Sequence, residues 1–128
     1  MTDWRSPRRM TQKDDSLITG IYSIRFLLNN DPIGAGIAVL NGTALHGGGV
    51  DYLYKGTYQL ADNHGVSATL DLENYTGTPN PVPGLPRSYR LTLNDISTPQ
   101  GFTLSGEVDG YPQLLMSLEL TKIGELVD

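Results

Sequence analysis

Between residues 17 and 122 apolar side chains recur at every second position, the period of strands with one face buried and the other in water. In 20–28, Tyr22, Ile24, Phe26 and Leu28 share one face, and Ser23 and Arg25 take the other. Asn29-Asn30-Asp31-Pro32 is turn chemistry. In 33–40 the larger residues Ile33, Ala35, Ile37 and Val39 alternate with Gly34 and Gly36, which predicts the larger set inward. Asn41-Gly42 is a strong hairpin signal because both residues tolerate positive φ. After a short strand at 43–46, Gly47-Gly48-Gly49 is expected to break or bulge the sheet.

The alternation then resumes. Residues 52–60 place Tyr52, Tyr54, Gly56, Tyr58 and Leu60 on one face. Residues 66–74 turn Val66, Ala68, Leu70 and Leu72 inward and Ser67, Thr69, Asp71 and Glu73 outward. The segment 75–87, with Pro79, Pro81, Pro83 and Pro86, has no periodicity and reads as an irregular crossover. Three further strands follow, with Tyr89, Leu91 and Leu93, then Phe102, Leu104 and Val108, then Leu114, Met116, Leu118 and Leu120 inward.

About eight strands joined by turns, with no amphipathic helix, predict an all-β, antiparallel up-and-down meander. Its apolar face must be covered, and closing it into an eight-stranded β-barrel also removes the exposed edges. A two-sheet sandwich is the alternative. An eight-stranded barrel is just filled by side chains or holds one small ligand. The expected interior comprises Tyr22, Ile24, Phe26, Tyr54, Tyr58, Leu70, Leu91, Phe102, Leu104 and Met116. Inward tyrosines also bring hydroxyl groups that need partners, so a polar spot, a water or a small apolar ligand is expected inside.

The domain expectation is a disordered tail over 1–16 and one β-barrel domain over 17–128, since 128 residues suffice for one core. Charge divides the same way. Residues 1–13 hold four basic side chains against Asp3, while the remainder holds five basic and thirteen acidic ones. An acidic body speaks against direct nucleic-acid binding. The basic arm reads as a solvated tail, and Met10 offers a second start, so neither the arm nor Trp4 is given a role. The chain has no cysteine, which excludes disulfides and thiolate metal sites. No apolar run approaches a membrane span and no signal peptide is visible; a cytoplasmic protein is the expectation.

Candidate chemistry is sparse. His46-Gly47-Gly48-Gly49 resembles a lipase oxyanion loop, but the nucleophile elbow it needs is missing, since Gly65-Val66-Ser67-Ala68-Thr69 lacks the final glycine. Asp71 with Glu73, and Glu107 with Asp109, fall on the polar strand face, where a carboxylate has no pocket to tune it. His46 and His64 lack a spaced third ligand for zinc. Gly34-Ala35-Gly36 does not continue into a dinucleotide fingerprint. The proline-rich 79–86 suits either a rigid crossover or a polyproline II ligand. The expectation is therefore no enzyme, no metal and no cofactor.

The stretch 20–58 resembles the GrlR-type negative regulators of type III secretion. The shared residues are Gly20-Ile21-Tyr22-Ser23-Ile24, Phe26, Gly34, Gly36, Asn41-Gly42, Gly47-Gly48, Tyr54 and Gly56, about a third of the chain. The resemblance implies a lipocalin-like barrel, homodimeric and non-enzymatic, that acts as a negative regulator by binding a protein partner, a transcriptional activator. It also implies that the turn carrying Asp62, Asn63 and His64 meets the partner. That turn holds one carboxylate here, where the family's known member carries an acidic run. The alternative expectation is a carrier or sensor of a small apolar ligand held in the barrel interior.

Overall fold

A computed structural model describes residues 18–60, 65–79, 84–96 and 101–127. The expected tail over 1–16, Trp4, the turn residues Asp62, Asn63 and His64, and the middle of the proline-rich segment lie outside the described residues. Eight antiparallel strands run β1 Gly20–Leu28, β2 Asp31–Asn41, β3 Ala44–Gly48, β4 Tyr52–Leu60, β5 Gly65–Asn74, β6 Tyr89–Ile96, β7 Gly101–Val108 and β8 Tyr111–Gly124. Each pairs with the next, and β1 pairs with β8, so the sheet closes into an up-and-down barrel. Closure pairs the two strands that would otherwise form open edges. Among the described residues no helix is long and apolar enough to cross a membrane.

The inward faces follow the alternation. Tyr22, Ile24, Phe26 and Leu28 of β1 are buried, as are Tyr54 and Tyr58 of β4 and Val66, Ala68, Leu70 and Leu72 of β5. Leu91 and Leu93 of β6, Phe102, Leu104 and Val108 of β7, and Leu114, Met116, Leu118 and Leu120 of β8 complete the core. In mid-barrel, Leu70, Leu91, Leu104, Met116 and Leu118 are each no more than 1% exposed, which leaves no water-sized space against them. On the outer face, charges pair across strands: Arg25 with the opposite Glu119 at 3.3 Å, Lys55 diagonally with Glu73 at 3.2 Å, and Arg90 with the opposite Asp71 at 2.7 Å. All are well exposed, so they shape the surface more than they stabilise it.

Strand β2 departs from the sequence expectation. Ile33 packs against the core as expected, but beyond it the inward residues are Gly34, Gly36, Ala38 and Leu40, not Ala35, Ile37 and Val39. Ala38 and Leu40 are fully buried, while Ile37 is 46% exposed. The cause is a bulge. Leu27 pairs with Pro32 but Phe26 pairs with Gly34, so Ile33 is an extra residue with no partner on β1. Because side chains alternate with period two, one inserted residue exchanges the two faces of everything beyond it.

Two turns also differ in detail. Asn29 and Asn30 both have positive φ, 48° and 73°, as a two-residue hairpin loop of primed type requires. Between β2 and β3, Asn41 pairs with Ala44, so the loop is Gly42-Thr43, one residue later than expected, and only Gly42 is left-handed. The triple glycine does not break the sheet either. Gly47 and Gly48 stay in register with both neighbouring strands, and the strand ends at Gly48.

Candidate ligand site at one mouth of the barrel

The turns β1–β2, β3–β4, β5–β6 and β7–β8 gather at one end of the barrel. There the interior opens into a cavity of about 230 Å³. Phe26, Tyr54, Leu72, Tyr52 and Tyr89 line it from the strands, with Ile33, Gly34 and Ala35 from β2 and Val50 and Asp51 from the β3–β4 turn. Phe26 and Tyr54 are buried, and Tyr52 and Tyr89 are half-buried against the core.

Glycines explain why there is room. A Cβ on Gly36 would collide with the Tyr54 hydroxyl oxygen and lie 2.8 Å from the Gly48 carbonyl, and a Cβ on Gly49 would lie 2.7 Å from the same hydroxyl. The Tyr54 side chain thus reaches across a wall of bare backbone that Gly36 and Gly49 provide. At Gly34, by contrast, a Cβ would meet nothing within 4 Å, because that position faces the cavity. The bulge at Ile33 brings these glycines inward, and it is therefore part of the site.

The aromatic rings stand at steep angles to one another. Phe26 and Tyr54 are 5.0 Å apart between centroids at 53°, and Tyr52 and Tyr89 are 6.1 Å apart at 64°. Such tilted pairs direct ring edges onto ring faces, the favoured quadrupole arrangement. Burial pushes the Tyr54 hydroxyl up to about 12, with Tyr75 adding to the effect. Tyr89 is pushed up further, by burial first and then by Tyr52 and Tyr54. These phenols stay protonated at neutral pH and offer neutral hydroxyls and π-faces to whatever enters.

One rim of the mouth is held by the start of the β5–β6 loop. The Tyr75 hydroxyl lies 2.9 Å from the Gly49 carbonyl and 2.7 Å from the Val50 carbonyl, and the Tyr75 amide donates to the Asp51 carbonyl at 3.0 Å. Thr76 Oγ1 donates to Asp51 Oδ1 at 2.8 Å. Asn74 sets the loop's bend: its Oδ1 accepts from the Gly77 amide and its Nδ2 donates to the Thr78 carbonyl, each at 2.7 Å. Further along, Leu85 leaves the proline-rich segment to join the core at 7% exposure.

No protein-family model matches this chain, and no curated protein matches it.

The structure places all ten expected interior residues inside the barrel, but it brings only two of them, Phe26 and Tyr54, to the cavity. Tyr22 and Phe102 pack against each other at 5.6 Å towards the opposite end. Burial pushes the Tyr22 hydroxyl up to about 12, with Tyr58 contributing. Leu70, Leu91, Leu104 and Met116 fill the middle. The lining residues missed as a group, Gly34, Val50 and Asp51, carry no periodicity signal. Only the unusual glycine density of 34–49 pointed towards them. His46 is exposed on β3, and the paired carboxylates Asp71 and Glu73 are engaged with Arg90 and Lys55 on the outer face.

Proposed function

We propose that this protein is a non-catalytic binder of a small organic molecule, taken up at the mouth between β2, β4 and β6. The observation that carries the reading is the aromatic cavity of about 230 Å³, kept open by inward glycines above a filled core. Ligand sites are concave and mostly apolar, with a few convergent polar groups. Here those groups are the hydroxyls of Tyr52, Tyr54 and Tyr89 and the carboxylate of Asp51. An apolar cavity of roughly 150 Å³ takes up benzene, so this one suits a compound of one or two rings, or of similar bulk. The ligand rests at the entrance and does not thread the barrel.

Gly34→Val tests this directly. The added side chain enters open space and fills the site, so thermal stability is retained. Calorimetry with indole and phenol as probes should show millimolar or tighter binding to the wild type and none to the variant. Absence of any heat with the wild type for neutral and cationic organic probes alike, or equal heats for both proteins, would remove the reading.

A second reading, a regulatory protein that works by protein–protein contact, draws on the outer face. Ile37, Gly48 and Leu53 lie side by side on β2, β3 and β4, with Ile37 46% and Leu53 42% exposed. The bulge that opens the cavity also turns Ile37 outward. An apolar strip on a sheet surface suits a protein partner, whether an activator of the kind the family resemblance implies or a second copy of the chain. Sedimentation velocity of the wild type beside Ile37→Ser/Leu53→Ser checks the latter. A dimer lost in the variant would support it, and two identical monomers would remove it.

A further inference from the structure

We propose that the mouth cavity selects an organic cation, a quaternary or methylated ammonium group. This inference rests on the ligand-binding reading above and names its chemistry.

Four aromatic rings, Phe26, Tyr52, Tyr54 and Tyr89, line one small cavity. They form two tilted pairs with centroids 5.0 Å and 6.1 Å apart, so the rings do not stack into a single slab and several π-faces and edges border the same space. An ammonium group within about 6 Å of such ring faces is attracted by their quadrupoles, and the attraction grows as water is excluded. Among the described residues the only charged side chain in the lining is Asp51. It sits at the rim, anchored by the Thr76 hydroxyl at 2.8 Å, and no basic side chain among the described residues forms an ion pair with it. A carboxylate at the edge of an aromatic box supplies the opposite charge without the hydrogen-bond donors that an anion would need. Among the described residues the lining contains no lysine, arginine or histidine, so an anionic ligand would meet no opposite charge there. The body of the chain, with thirteen acidic and five basic side chains after residue 13, adds a field that draws cations in.

A trimethylammonium group is close in size and shape to a tert-butyl group, so charge can be tested without changing shape. Choline and its neutral isostere 3,3-dimethylbutan-1-ol are titrated by calorimetry into the full chain, with indole as a neutral aromatic control. The expected result is that choline binds about tenfold tighter than the neutral alcohol. Asp51→Asn should weaken choline several-fold while leaving indole unchanged. Tyr52→Phe should retain choline binding and Tyr52→Leu should lose it, because the ring and not the hydroxyl holds the cation. Equal affinity for choline and the alcohol, or binding of indole alone, would overturn the cation assignment and leave the ligand-binding reading standing. No binding of any of the three would overturn both.

Discussion

The two ends of the barrel are built from similar residues and differ in what lies beside them. Where the chain enters the barrel, Tyr22 meets Phe102 edge-on, and Ile18 and Tyr58 are buried at the same end, all at 5% exposure or less. There β2 contributes Ala38 and Leu40, both fully buried. At the other end Phe26, Tyr52, Tyr54 and Tyr89 surround open space, β2 lines it with Gly34, and Gly36 leaves room for the Tyr54 hydroxyl. Aromatic residues alone therefore do not make a pocket. The glycines opposite them do, and those glycines point inward only because Ile33 bulges out of the β1–β2 ladder.

If one end is packing and the other a site, truncation should separate them. Phe102→Ala removes a ring from a close-packed environment and should cost about 3–5 kcal/mol in urea denaturation. Tyr52→Ala removes a half-buried ring beside existing space and should cost less than about half of that. Equal losses would mean that the mouth is as tightly packed as the closed end.

Alkaline titration reaches both ends at once. Unfolded-state phenols ionise near pH 10, whereas Tyr22 and Tyr54 hold their protons to about pH 12. Between those values the unfolded state binds fewer protons, so stability is complete below pH 10 and falls as pH rises towards 12. Each of the two residues accounts for roughly 2–3 kcal/mol of that loss. Phenolate absorbance followed in the native protein should show these tyrosines titrating late. A ligand at the mouth should move Tyr54 and Tyr89 and leave Tyr22 in place.

The glycine pair sharpens the contrast at smaller scale. Gly36→Ala forces a methyl against the Tyr54 hydroxyl and the Gly48 carbonyl and should cost about 1–3 kcal/mol. Gly34→Ala meets nothing and should stay within about 0.5 kcal/mol. Smallest of all, Arg25→Ala on the outer face should also change stability by no more than about 0.5 kcal/mol.

The barrel was legible because six of its strands, all but β2 and the short β3, carry an alternation that burial follows. Strand β2 was not, since both of its faces carry apolar residues. Ile33 does pack against the core, but beyond it Ala35, Ile37 and Val39 form the bulkier set, yet Gly34, Gly36, Ala38 and Leu40 are the set that fits. The deciding fact is that Tyr54 needs bare backbone at Gly36, a contact between strands that local periodicity does not encode. Leu85 was hidden for a related reason: a single anchor in a proline-rich segment has no period to betray it. Tyr52, Tyr54 and Tyr89 were correctly expected inside. That they border the mouth cavity, while Tyr22 packs against Phe102, depends on neighbours from other strands and on Asp51 in a turn.

The most direct test of the site is a titration of the isotopically labelled protein with choline and with indole, followed through the ring resonances of its tyrosines and phenylalanines. The account predicts that Phe26, Tyr52, Tyr54 and Tyr89 shift in a saturable way with at least one probe while Tyr22, Tyr58 and Phe102 stay fixed. Saturable shifts centred on Tyr22 and Phe102, or none at either end, would contradict it.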